Sequence, residues 1–83
     1  MDVRRRIARF RKRTANVRFR ELRSLVEAAG WELDRVGGSH YFFVKGGRMP
    51  LSMPNHPGAL NPYLVDGVLD ELERDYAEEE QDG

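Results

Sequence analysis

Trp31-Glu32-Leu33-Asp34-Arg35-Val36-Gly37-Gly38-Ser39-His40-Tyr41-Phe42-Phe43-Val44-Lys45 is the stretch on which the fold turns. Its apolar residues recur every second position, Trp31 with Leu33 on one side and Glu32 with Asp34 on the other, which is the period of a strand. Gly37-Gly38 breaks the run as a corner. His40 to Lys45 is aromatic and β-branched, the composition that favours a second strand. Within it, Phe42 and Val44 share one face and Tyr41 and Phe43 the other, so one pair is core and the other is free to stack on a ligand. Gly46-Gly47 makes a second corner into Arg48–Met53. Pro50 there lacks a ladder donor, which places this third strand at an edge or delays its start. The spacing predicts a three-stranded antiparallel meander.

Upstream the period is close to four. Phe19, Leu22, Leu25, Val26 and Ala29 lie on one face of a helix that runs from Arg18 and stops at Gly30, where a left-handed cap residue is wanted. Downstream, Asn61-Pro62 reads as an N-cap followed by proline at the first helical position. Leu64, Val65, Val68, Leu69, Leu72 and Tyr76 then form one stripe. Two helices bury their stripes only by covering one face of the sheet. The expected fold class is therefore α+β, a two-layer α-β-β-β-α domain with one sheet face at least partly open. A short basic helix or arm precedes it, in which Val3, Ile7 and Phe10 keep helical spacing.

Eighty-three residues close a single core, and a chain that is 40% apolar and 34% charged has little apolar material to spare. There is no room for a doubly wound cofactor-binding fold, and no small-molecule cofactor is expected. The chain has no cysteine, which excludes disulfides, thiolate metal sites and a thiol nucleophile and fits a reducing, cytoplasmic setting. No apolar run approaches the ~20 residues of a membrane span. The basic N-terminus lacks the apolar stretch of a secretory signal.

The net charge of zero conceals a strong polarity. Residues 1–23 carry ten Arg or Lys against Asp2 and Glu21, a balance of +8, and residues 66–83 carry nine Asp or Glu against Arg74, a balance of −8. A basic segment attracts phosphate backbones or acidic proteins, and an acidic one repels nucleic acid. The two ends also have the means to neutralise each other.

His40 and His56 are the candidates for chemistry. A histidine titrates near neutral pH and moves a proton in either direction. RNA carries its own nucleophile, the 2′-hydroxyl, so a small domain that positions the strand and supplies one proton-transfer group can cut it without a metal. Glycine before His40 lets a phosphate approach, and Ser39 adds a hydroxyl. His56, in a proline-rich loop, is a possible substrate contact or merely a turn residue. The two histidines do not have the spacing or carboxylate neighbours of a standard metal site, and none is expected. Arg35, Lys45 and Arg48 flank the sheet corners as phosphate contacts, and Arg11, Lys12 and Arg13 end the basic segment. Three readings remain open from the residues alone: an RNA-cleaving enzyme, an RNA-binding module without catalysis, and a protein-interaction domain in which His40 is incidental.

Gly38-Ser39-His40, set between a short strand and an aromatic one, resembles the signature of the HicA family of toxins. Ala29-Gly30-Trp31 at the helix end, Arg35-Val36, Met53-Pro54-Asn55-His56-Pro57 and Pro62-Tyr63 resemble the same family, over roughly residues 17–76. The resemblance implies a fold like that of double-stranded-RNA-binding domains, cleavage of messenger RNA, His40 as the catalytic residue and a HicB-type antitoxin as partner. Gly38 and Ser39, read from their place beside His40, are the expected RNA contacts. The expected organisation is a basic arm or short helix over 1–15, one HicA-like domain over 16–77 and a disordered acidic tail over 78–83. One departure stands out: the last helix carries Asp66, Asp70, Glu71, Glu73 and Asp75, whose charge should turn phosphate away.

Overall fold

The structure is a computed structural model that describes residues 2–82, the last two by their backbone alone. Its elements run α1 (Val3–Lys12), α2 (Phe19–Ala28), β1 (Glu32–Gly37), β2 (His40–Val44), β3 (Leu51–Pro54) and α3 (Pro62–Asp82). The α+β class and the order helix, three strands, helix after a basic prefix match what the periodicities require. The prefix is a helix, capped where Asp2 accepts the N–H of Arg4 at 3.0 Å.

Local chemistry sets the element ends. Gly30 adopts φ +95°, its N–H bonds the Glu27 carbonyl at 3.0 Å, and the N–H of Trp31 reaches Val26 at 3.2 Å. This pair of bonds closes α2 as a Schellman motif. Asn61 accepts the N–H of Tyr63 at 2.9 Å and so caps α3 with Pro62 in its first turn.

The sheet has the order β1-β2-β3, antiparallel throughout. Tyr41 and Phe43 face the helices along with their cross-strand partners Met53 and Leu51. Phe43 and Met53 are fully buried among Leu22, Leu25, Val65, Leu69 and Leu72. Phe42, Val44 and Ser52 therefore lie on the opposite face, which none of the described helices covers.

The third strand starts late and lies at an edge, as expected from Pro50: it begins at Leu51, because Arg48 and Met49 belong to the corner and Pro50 cannot donate to a ladder. Two expectations need correction. Trp31 is buried, but Leu33 is 37% exposed, since β1 is an edge strand with a bulge between Leu33 and Arg35 and no helix reaches over it. The tail expected to be disordered from residue 78 is helical as far as Asp82, while Gly83 lies outside the described residues. Composition marks these residues as unanchored because they lack apolar side chains. Charge anchors them instead: Glu78 pairs with Arg48 at 3.0 Å, Glu79 with Lys45 at 2.6 Å and Glu80 with Arg4.

Candidate nucleic-acid interface

Gly38 and Ser39 form a two-residue corner between β1 and β2, with Gly37 opposite His40. Gly38 takes φ +59°, the left-handed value that a hairpin turn of the II′ kind needs at its first central position. His40 is thereby the first residue of the central strand. Alternation along β2 sends its side chain to the uncovered face, away from Tyr41 and Phe43, and it is exposed.

That open face carries a small constellation. Phe42 follows His40 on the same side, and Arg35 on the neighbouring strand lays its guanidinium 4.1 Å from the Phe42 ring centroid. Ser52 stands opposite Phe42, and Pro54 opposite His40. A proton-transfer group, a hydroxyl and an aromatic ring backed by a cation thus share one exposed surface. A ring face suits a base, and a guanidinium suits a phosphate.

The loop after β3 is tied to this corner. The N–H of Asn55 donates to the Ser39 carbonyl at 2.7 Å. His56 comes next, exposed, and lines an open cleft of about 700 Å³ with Arg18, Arg20, Arg23 and Asn55. His40 is not part of that cleft. The two histidines approach the same end of the sheet from different sides.

The remaining expected contacts lie elsewhere. Lys45 and Arg48 stand at the far end of β2 from His40, brought together by a turn closed from the Arg48 N–H to the Lys45 carbonyl at 3.0 Å. Both grip Asp75 of α3, which is only 1% exposed, with Lys45 Nζ at 2.6 Å from its Oδ2 and Arg48 Nε on its Oδ1. Lys45 also donates to the Ala29 carbonyl at 3.0 Å. Burial works to lower the Lys45 pKa, but the bonds to Asp75 and Glu79 outweigh it and hold the ammonium above the usual lysine value. Arg48 is held above its ordinary value chiefly by Asp75.

Arg11 turns to α3 as well, bonding Glu73 at 2.7 Å, Asp66 at 3.1 Å and Asp70. The hydrogen bonds to Asp70 and Glu73 raise its pKa. Lys12 and Arg13 are exposed, with Arg13 4.0 Å from Glu21. The structure therefore gathers Gly38, Ser39, His40 and Arg35 at one corner, and commits Lys45, Arg48 and Arg11 to carboxylates of α3. Sequence reading missed Asp75 as an interior residue, having counted it with the acidic outer face. It also passed over Arg18, Arg20 and Arg23, whose proximity to the His56 loop depends on the bridge between Arg18 and Ala59. Among the described residues no group of three or more His, Cys, Asp or Glu is placed to hold a metal ion. None of the described helices is long and apolar enough to cross a membrane.

Residues 19–73 match the family described as the HicA toxin of bacterial toxin-antitoxin systems, a span of 55 of the 83 residues. It takes in α2, the whole sheet and most of α3, and leaves α1 outside. Neither a curated protein nor a solved structure matches the chain.

Proposed function

The chain belongs to the HicA toxin family of bacterial toxin–antitoxin systems, and on that premise we propose that it is an endoribonuclease that cleaves messenger RNA through His40, without a metal. The observation that supports this most is the exposed His40 on the uncovered sheet face, next to the Phe42–Arg35 stack and inside the family-matching segment.

In this reading a single-stranded RNA lies across the open face, with a nucleotide at the Phe42–Arg35 stack. The 2′-hydroxyl of the RNA is the nucleophile. His40 takes its proton as the new bond to phosphorus forms, the bond from phosphorus to the 5′-oxygen breaks, and a proton returns to the departing oxygen. Beyond its chain neighbours, Gly38 has no atom within 4 Å of where a side chain would begin, so the corner is open to an approaching phosphate. Ser39 holds the corner through its carbonyl. A family member of this kind has an antitoxin as its partner, and a HicB-type protein is the one proposed.

Induction of the wild-type chain in bacteria should arrest growth with loss of messenger RNA, and His40→Ala should abolish both. Equal arrest by the two chains would refute the assignment.

A further inference from the structure

Helix α1 is basic on two sides, and the fold treats the sides differently. Arg4 and Arg11, two turns apart, face α3 and are neutralised there by Glu80 and by Asp66, Asp70 and Glu73. Arg6 and Arg9, at i and i+3, face α2 instead, and Arg13 follows them at the extended C-cap of the helix. With Arg20 of α2 they wall an open cleft of about 520 Å³ whose floor includes Phe10. The cleft holds one carboxylate, Glu21, which accepts the Arg18 N–H at 3.1 Å and stands 4.0 Å from Arg13. Arg6 reaches across to Ser24 Oγ at 3.2 Å.

We propose that this cleft between α1 and α2 is a binding site for the phosphate backbone of the RNA, leading it to His40. The assignment of RNA as the occupant rests on the function proposed above. Four guanidinium groups around a half-buried aromatic ring suit a polyanion that also carries flat apolar groups. Continuity decides between RNA and an acidic protein segment. Arg20 and Glu21 also line the adjoining cleft with Arg18, Arg23, Asn55 and His56, and Asn55 is bonded to Ser39, the residue before His40. A basic track therefore runs from α1 along α2 to the corner of the sheet that carries the histidine. An acidic peptide has no need of such a track. The inner end of the cleft, at Arg20, lies within the segment shared with the family, whereas Arg6, Arg9 and Arg13 lie before it. The outer wall is thus a feature of this chain's own prefix.

The test uses the full chain with His40→Ala, so that RNA is not consumed, and the fluorescence anisotropy of a labelled single-stranded RNA oligonucleotide. Arg9→Glu with Arg20→Glu is compared with Arg5→Glu plus Arg74→Glu, which changes the net charge equally but away from the cleft. Arg9→Gln with Arg20→Gln guards against a folding artefact, and circular dichroism checks each chain. The cleft variants should weaken binding about tenfold or more and lower the salt slope by about 0.7 per lost phosphate contact, with the control within about twofold of the parent. Equal losses in cleft and control variants would overturn the proposal, as would capture of a polyglutamate peptide by these arginines with no RNA bound. Cleavage is scored separately with His40 restored. RNA held through the cleft but never cut defeats the catalytic reading and upholds the cleft. RNA cut normally, with cleft variants binding like the control, overturns the cleft alone.

Discussion

The N–H of Asn55 donates to the Ser39 carbonyl at 2.7 Å, fastening the loop after β3 to the corner that presents His40. The corner is held from two directions, by this bond and by the pairing of His40 with Gly37 and Pro54. Its conformation depends on Gly38, whose φ of +59° is one that a side chain resists.

Gly38→Ala should therefore lower stability by about 1–2 kcal/mol, through backbone strain alone, because the space around it is open. Gly46→Ala is the matched control: it too faces open space, and its φ is not in the left-handed region. Urea unfolding of both variants checks this. Equal losses at the two positions would show that the Gly38 conformation carries no special strain.

Asp75 joins α3 to the β2–β3 corner through Lys45 and Arg48. Removing its charge leaves two partly buried cations facing each other. Glu78 and Glu79 remain nearby to offset part of the loss. Asp75→Asn is expected to cost about 2–4 kcal/mol in chemical denaturation, somewhat less than the roughly 3–5 kcal/mol for a broken, fully buried pair. A cost below about 0.5 kcal/mol, the level of ordinary surface substitutions, would contradict the structural role assigned to it.

Alkaline pH probes the same region. Lys45 is held above its usual pKa by its carboxylate partners against the effect of burial, and burial raises the Tyr76 phenol. In both cases the folded chain binds the proton more tightly than the unfolded one. The stability they contribute is complete below the unfolded pKa and is lost as pH rises through the folded value. Stability should be level through neutrality and fall above about pH 10. Lys45→Met and Tyr76→Phe should each make that fall shallower. An unchanged profile in both variants would contradict the assignment.

How much of this was legible beforehand varies with the kind of force involved. The change of period at Trp31, the glycine corners and the caps at Gly30 and Asn61 are local signals, and the structure follows each of them. The position of His40 at the mouth of the central strand was readable for the same reason. Long-range charge was not. Nothing adjacent in the chain tells that Asp75 is buried or that Lys45 and Arg48 are its partners, since they are 30 and 27 residues away. Nor could the sequence tell which carboxylates of the acidic last helix are paired with Arg4, Arg11, Lys45 and Arg48. Helix α1 could be read as amphipathic, but which of its arginines would pair with carboxylates of α3 depended on where that helix lies.

The central claim is that His40 performs the chemistry. Purified wild-type chain and His40→Ala, matched by circular dichroism, are incubated with single-stranded RNA in buffer containing EDTA. The wild type should cut the RNA, and the variant should be slower by about 100-fold or more, the usual contribution of a positioned proton-transfer group. A His40→Ala chain that cuts at the wild-type rate, or a wild type that does not cut at all under these conditions, would contradict the account.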